Sequence, residues 1–177
     1  METLAELLTD ELKDIYNAEH QLIKALPKMA KKSSSEALSA AITKHLGETQ
    51  NHVKRLETAG EELGIKLTGK KCHAMEGLIL EGKEVLEEKG QNPVIDAAII
   101  GASQRIEHYE MAAYGTARAM AEALGHDKVA KLLQATLDEE SAADEKLSQI
   151  AESEVLEDAK GFGDTEEDEE VEENAGA

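Results

Sequence analysis

Four glutamates occupy positions at which the spacing of apolar residues predicts the buried face of a helix. One of them, Glu19, lies between Ile15 and Leu22 in a stripe of three- and four-residue steps. An acid at such a position is usually solvated at the edge of the stripe, because buried carboxylates are costly without a counter-charge. Four of them at similar places along four helices instead indicate a metal centre, with contributions from Glu19, Glu48, Glu107 and Glu140.

The four glutamates form two similar pairs along the chain. Glu19 is followed directly by a histidine, and so is Glu107. Each precedes the second member of its pair, Glu48 or Glu140, by a similar number of residues. Antiparallel helical hairpins with such spacings bring the members of a pair to a similar height. We therefore expect two similar halves that meet around one centre.

Two histidines lie on the same helical face as Glu48, one turn before it and one turn after it. His45 and His52 are therefore candidate nitrogen ligands, and the alternative for each is a boundary histidine bonded to a neighbouring acid. His20 and His108 directly follow their glutamates and so point about 100° away from them. That direction favours a supporting or surface position for these two histidines.

Carboxylate and imidazole donors in this number suit a dinuclear site. Glu110 and Asp144 share the faces of Glu107 and Glu140, one turn further along the chain. Such donors suit iron or manganese, and carboxylate-bridged pairs of these ions recur in bundle cores, whereas one zinc ion takes about four ligands and often cysteine. We expect two iron or manganese ions per chain, with ligands from the set Glu19, His45, Glu48, His52, Glu107, Glu110, Glu140 and Asp144.

The first two helices that must position these residues form a hairpin. Apolar periodicity predicts a helix over residues 4–32, which Pro27 either kinks or allows to continue only briefly. A second helix follows over residues 33–63, with Ser33 and Glu36 at the spacing of a capping box. Gly64 is then expected to end this helix in a left-handed conformation.

A long connection separates this hairpin from the next one. Residues 65–92 contain a short amphipathic helix from about 74 to 89, and Asn92-Pro93 is typical of an N-cap followed by a proline at the first helical position. The third long helix then runs to about Leu124, and the fourth covers about residues 126–159. A single long crossover between helices 2 and 3 is typical of a ferritin-like bundle. We therefore predict an all-α, ferritin-like four-helix bundle with a short helix in the crossover.

Composition and charge agree with this architecture. Three Tyr, one Phe, no Trp and two Pro are too few for an all-β fold of 177 residues. A formal net charge of −19 argues against a surface that binds nucleic acid or anionic lipid. Acidic residues crowd the segment 164–173, so we divide the chain into a bundle over residues 1–160 and an acidic, disordered tail over residues 161–177.

The cysteine content and the first residues of the chain indicate the cellular compartment in which the protein is expected. Cys72 is the single cysteine, which excludes an internal disulfide and is typical of a reducing cytoplasm. The first residues carry acids where a signal peptide needs basic residues, and no segment approaches the ~18 apolar residues of a membrane span. We therefore expect a cytoplasmic protein.

Several sequence strings resemble those of YciF/YciE-type stress proteins. The most specific are EHYE at 107–110 and CHAMEGL at 72–78, and the similarity runs in order over about residues 1–155. The resemblance implies a ferritin-like bundle that forms homodimers and acts in the general and osmotic stress responses of bacteria. It also implies a di-iron or dimanganese protein without a well-defined substrate, some relatives of which are linked to peroxide removal as in manganese catalases.

The resemblance supports the same metal neighbourhood, with one departure from other ferritin-like proteins. Ferritins and rubrerythrins typically place a histidine three residues after a ligand glutamate, whereas this chain has Asn51 and Ala143 at those positions. The nitrogen ligand must then come from His45 or His52. In the arrangement we expect, Glu48 and Glu140 bridge or chelate the ions, and Glu19 and Glu107 are terminal ligands.

Three functions are compatible with these observations. The first is a dinuclear oxidoreductase that consumes peroxide or dioxygen during stress, in the manner of a catalase or peroxidase. The second is a protein that binds or scavenges metal without turnover. The third is a structural helical dimer whose buried acids bind little metal.

Overall fold

Helices are the regular structure of the described chain. The structure, a computed structural model, describes residues 1–162. The predicted acidic tail therefore lies outside the described residues, apart from its first two positions. The helices are α1 Leu4–Lys32, α2 Glu36–Leu63, α3 His73–Glu87, α4 Asn92–Ala123, α5 Asp127–Ile150 and α6 Leu156–Lys160, with a π-helical segment over Ala151–Val155 between the last two.

The four long helices form the predicted bundle. Helix α1 packs on α2 and α4, and α5 packs on α4 and α2, while α3 lies in the crossover against α1 and α4. The described residues contain no strand. These observations confirm the all-α, ferritin-like architecture with one long crossover between the second and third helices of the bundle. None of the helices in residues 1–162 combines the length and apolar character that crossing a membrane requires.

Two apolar clusters fill the bundle, one toward each end. One contains Leu22, Ile42 and Ile99, and the other contains Leu12 and Leu133. Burial of these side chains provides the main free energy that holds the helices together. Each long helix contributes residues to both clusters and crosses the region between them near its midpoint. The mid-helix glutamates are therefore carried into the same cross-section of the bundle.

The crossover is tied to α1 by polar contacts of Cys72. The backbone amide of Cys72 donates to Asn17 Oδ1 at 2.8 Å, and Gln21 Nε2 donates to the Cys72 carbonyl oxygen at 2.9 Å. The Cys72 thiol lies 2.9 Å from the Tyr109 hydroxyl, so the crossover also reaches α4. Burial raises the pKa of the Cys72 thiol, which keeps it in the neutral form.

The start of α2 differs from the prediction. Ser35, rather than Ser33, caps the helix by accepting a hydrogen bond from the Leu38 amide at 3.2 Å, so the predicted capping box of Ser33 and Glu36 is wrong. The buried carboxylate of Asp96 accepts hydrogen bonds from the amides of Ser34 and Ser35, at 2.9 and 2.8 Å. This contact from α4 sets where α2 begins, and local sequence does not reveal it.

Other helix ends were predicted with mixed success. Gly64 adopts a left-handed φ of 66° after α2, which confirms its predicted role. Helix α1 continues through Pro27 to Lys32, the second of the two predicted outcomes. Asn92 is not an N-cap, because α4 already includes it and Gln91 precedes the helix without a side-chain cap. The predicted last helix is interrupted by the π-helical segment over Ala151–Val155.

Candidate metal centre

A layer of six acidic and imidazole side chains separates the two apolar clusters. Each side chain comes from the middle of a long helix, and none of the six residues is more than 5% exposed. Glu19 lies on α1, two histidines lie on α2, two glutamates lie on α4 and one lies on α5. The six residues are Glu19, His45, His52, Glu107, Glu110 and Glu140.

These side chains form two groups that share one glutamate. Within each group, the potential ligand atoms lie within 4.8 Å of one another. We call the group of His45, Glu107, Glu110 and Glu140 the first cluster, and the group of Glu19, His52 and Glu140 the second cluster. Glu140 belongs to both clusters, which is the position that a carboxylate bridging two ions would occupy.

The two oxygens of Glu140 face different histidines. Its Oε2 atom lies 3.8 Å from His45 Nε2, and its Oε1 atom lies 3.0 Å from His52 Nδ1. The other acids complete each side, since Glu107 Oε1 lies 3.4 Å from His45 Nε2 and Glu19 Oε1 lies 3.5 Å from His52 Nδ1. The two clusters are thus arranged on opposite sides of the Glu140 carboxylate.

Most of the polar atoms in this layer have no hydrogen-bond partner. Nine buried nitrogen and oxygen atoms of the six residues are unpaired, including both carboxylate oxygens of Glu110 and of Glu140. Buried polar atoms without partners are rare in proteins because each costs about 1–3 kcal/mol. Oxygen donors with two imidazole nitrogens are the donors that iron and manganese accept. The residues present therefore fit a pair of such ions.

Without metal, protons would take the place of the cations. Burial raises the pKa of Glu107 to about 8 and the pKa of Glu110 well above its ordinary value. Burial alone would lower the pKa of each histidine, but the neighbouring carboxylates raise the pKa of His45 to about 9 and that of His52 to about 10. Two imidazolium groups and protonated carboxyl groups would then balance the buried charge at neutral pH.

An ion pair outside the layer orients His52. Glu139 Oε2 lies 2.8 Å from His52 Nε2, and Arg55 forms two hydrogen bonds of 2.7 Å with the two oxygens of Glu139. His52 Nε2 donates its proton to Glu139, and this hydrogen bond directs His52 Nδ1 toward Glu19 and Glu140 of the second cluster. The Tyr114 hydroxyl similarly donates to Glu19 Oε1. Neither residue of this ion pair is among the predicted site residues, although Glu139 adjoins Glu140 and Arg55 lies about one turn after His52.

This contact predicts a selective effect of the Glu139→Ala substitution. Loss of the carboxylate frees the His52 ring to rotate, so we expect the affinity for one of two ions to fall about 10- to 100-fold, while the other ion binds as before. Isothermal titration calorimetry with manganese measures both affinities. Glu145→Ala, at an exposed position of the same helix, is the matched control. An equal loss of affinity for both ions in Glu139→Ala would contradict the role of Glu139 in orienting His52.

Two of the predicted ligands lie outside both clusters. Glu48 is half-buried, contacts Lys44, and approaches His45 Nδ1 only to 3.8 Å. The interaction with His45 and the nearby ammonium group lowers the pKa of Glu48 to about 2. Asp144 accepts a hydrogen bond of 3.1 Å from Gln104 Nε2 and faces the edge of the bundle. A step of four residues rotates a side chain by about 40°, which is enough to carry it from the centre of a helical face to its edge.

Comparison with known proteins places the chain among bacterial relatives. A family model described as "Domain of unknown function (DUF892)" matches residues 3–160. The chain is 47% identical over 152 residues to Protein YciF of Escherichia coli strain K12. The aligned region covers 85% of this chain and 92% of that protein.

Two solved structures resemble the fold over most of the chain. The structure of the E. coli stress protein YciF superposes with a TM-score of 0.84 at 43% identity, covering 90% of this chain and 99% of that one. The protein YcfI of Rhodopseudomonas palustris superposes with a TM-score of 0.83 at 45% identity, covering 85% and 96% of the two chains.

Proposed function

The chain belongs to the DUF892 family of YciF-type stress proteins. We propose that its two buried clusters form a dinuclear iron or manganese centre that reacts with peroxide or dioxygen. The observation that carries the proposal is the Glu140 carboxylate, whose two oxygens face the histidines of different clusters at 3.0 and 3.8 Å. The nine unpaired buried atoms of the layer, which include both oxygens of Glu140, support the same proposal.

The side chains of the layer have distinct tasks in this proposal. His45, Glu107 and Glu110 would hold the first ion, Glu19 and His52 would hold the second, and Glu140 would bridge them. When bound, such a pair of ions supplies Lewis acidity and accessible changes of oxidation state. This assignment replaces the bridging role that the sequence suggested for Glu48.

Residues around the layer orient the donors and exclude water. Tyr114 and Glu139 fix the donor atoms of Glu19 and His52, as described above. Apolar residues on both sides of the layer limit the access of water to the site. A dry environment strengthens the electrostatic interaction between carboxylates and a cation.

Metal analysis and peroxide decay test the proposal together. The protein is loaded separately with iron and with manganese, its metal content is measured, and the consumption of hydrogen peroxide and dioxygen is followed. We expect two ions per chain and turnover of an oxidant by at least one loaded form. Two bound ions without turnover would refute the oxidoreductase and leave a metal-binding protein. Less than one ion per chain would refute the metal centre.

The homodimer implied by the family resemblance is part of the same proposal. Size-exclusion chromatography with light scattering measures the mass of the particle in solution. A mass of two chains agrees with the proposal, whereas a closed shell of many chains would indicate metal storage. A monomer would contradict the expected dimer without affecting the proposed centre.

The pKa values predict an unusual pH dependence for the metal-free protein. Folding raises the pKa of Glu107 from an ordinary value of 4.5 to about 8, and those of His45 and His52 from 6.5 to about 9 and about 10. Between pH 4.5 and about 10, the folded state therefore binds more protons than the unfolded state. The free energy of unfolding consequently falls as the pH rises through this range. Thermal unfolding in the presence of a chelator measures the trend.

The Glu107→Gln variant is the control for this pH dependence. It removes the carboxyl group that titrates at the lower end of the window, so we expect a smaller fall of the unfolding temperature between about pH 5 and 8. A metal-free wild type whose stability rises with pH over this range would contradict the pKa assignment.

A further inference from the structure

A cavity beside the first cluster reaches the polar layer from outside. It has a volume of about 50 Å³ and lies among α1, α2, α4 and α5. His45 and Glu107 line it, whereas neither Glu19 nor His52 of the second cluster is among its lining residues. The first cluster is therefore the side of the centre that a small molecule in this cavity would meet.

Ser103 lines the cavity and carries an unpaired hydroxyl group. The residue is only 4% exposed, and its Oγ atom is buried without a hydrogen-bond partner. A serine within a helix often bonds to the carbonyl four residues earlier, and Ser103 does not. A buried hydroxyl without a partner costs about 1–3 kcal/mol, so a molecule that pairs with it gains a corresponding advantage.

Charged side chains surround the outer part of the cavity. Lys44 and Lys146 line it together with Glu48, and Lys44 and Glu48 form an ion pair across one helical turn. The Lys44 side chain is 74% exposed and that of Glu48 is 23% exposed, which puts the pair at the boundary with solvent. Glu48 thus lies along the approach to the first cluster rather than within it.

The cavity limits the size of what can reach the cluster. A water molecule needs about 10–15 Å³ of such volume, so a cavity of about 50 Å³ holds only a few water-sized molecules. Aliphatic side chains form the rest of its wall, among them Ile42 and Leu147. A small, uncharged molecule with hydrogen-bonding groups matches this combination of size, apolar wall and single unpaired hydroxyl.

We propose that this cavity is the substrate pocket of the centre, that Ser103 binds the substrate by a hydrogen bond, and that the substrate is hydrogen peroxide. The inference rests on the proposed function and chooses between its two oxidants. Hydrogen peroxide donates and accepts hydrogen bonds, whereas dioxygen is too weak an acceptor to satisfy a buried hydroxyl. Bulky organic hydroperoxides exceed the volume of the pocket.

Azide binding tests the pocket independently of turnover. Azide is a small ligand of ferric ions that accepts hydrogen bonds, and its binding to iron-loaded protein is followed by optical absorption. We expect Ser103→Ala to weaken azide binding about tenfold, which corresponds to about 1.4 kcal/mol, without changing the iron content. Ser103→Thr keeps the hydroxyl and should retain most of the affinity. Ser141→Ala, at an exposed position of α5 outside the pocket lining, is the matched control.

The outcomes separate this inference from the proposed function. Equal azide affinities in wild type and Ser103→Ala, or no azide binding at all, would overturn the pocket even if the protein consumes peroxide. Weaker azide binding by Ser103→Ala, together with no turnover of either hydrogen peroxide or dioxygen by the wild type, would support the pocket and refute the redox function.

Kinetics with different oxidants test the choice of substrate. We expect Ser103→Ala to raise the KM for hydrogen peroxide about five- to tenfold with a smaller change in kcat, because a substrate hydrogen bond of about 1 kcal/mol is lost. Cumene hydroperoxide should be consumed at least tenfold more slowly than hydrogen peroxide. Equal rates for the two peroxides, or faster consumption of dioxygen than of hydrogen peroxide, would contradict hydrogen peroxide as the substrate.

Discussion

We expect the Glu140→Ala variant to hold at most one metal ion per chain under conditions in which the wild type holds two. Glu140 is buried, and its two oxygens face His45 and His52 on opposite sides. Its removal takes one donor from each cluster at once and deletes the bridge between the ions. The second cluster is left with only Glu19 and His52, too few protein ligands for a stable site.

Metal analysis after loading and gel filtration measures this effect. The matched control is Asp144→Ala, which removes an acid one turn further along the same helix. Asp144 lies outside both clusters and bonds to Gln104, so we expect this variant to keep both ions. Retention of two ions by Glu140→Ala would refute the shared position of Glu140, and their loss from Asp144→Ala would return Asp144 to the set of ligands.

The second large effect is expected for Glu110→Leu, which should stabilise the metal-free protein. Glu110 is 1% exposed and both of its carboxylate oxygens lack a hydrogen-bond partner. Burial raises the pKa of Glu110 well above its ordinary value, with further contributions from Glu140 and other nearby acids. An apolar side chain of similar volume removes the cost of burying a polar group without a hydrogen-bond partner, about 1–3 kcal/mol, and we expect a gain in this range.

Urea unfolding in the presence of a chelator measures the stability of this variant. Glu122→Leu, at an exposed position of the same helix, is the matched control and should change the free energy of unfolding by less than about 0.5 kcal/mol. Destabilisation by Glu110→Leu would show that the carboxylate has a structural partner in the folded state and would contradict the interpretation of Glu110 as a metal ligand.

Added metal should make the wild type more stable than Glu110→Leu, which reverses the order expected without metal. Ligands that bind only the folded state stabilise it by about 4 kcal/mol at a thousandfold excess over Kd. The wild type should gain this stabilisation, whereas Glu110→Leu lacks a donor in the first cluster and should gain much less. The layer therefore lowers the stability of the metal-free bundle in exchange for a site that a cation completes, a common compromise at functional sites.

The helices and the buried acids could be predicted from the sequence because both follow from local periodicity. An amphipathic helix repeats its apolar face every three or four residues, so Glu19 and Glu107 stand out within their stripes. The long connection between the hairpins likewise indicates one crossover. The all-α bundle depends on these local features, and the structure confirms it.

The roles of several other residues depend on contacts between helices and could not be predicted from the sequence. Glu139 is an unremarkable acid in the sequence, and only the approach of α2 to α5 shows that it orients His52. Ser103 looks like an ordinary small residue of a helix until its hydroxyl is found buried beside the first cluster. Similarly, Asp96 sets the beginning of α2 from a distant part of the chain.

The amino-acid sequence alone determined that this protein is a helical bundle with acids buried at the middle of its long helices, since periodicity is a property of each segment by itself. The packing of the helices brings Glu140 into both the first and the second cluster, places Glu48 along the approach to the first cluster and leaves Asp144 outside both clusters. Periodicity could not reveal these differences, because it identifies a helical face only to within the ~100° that separates successive residues. Ligand geometry depends on ångström distances between helices, and these are set by how the two apolar clusters pack.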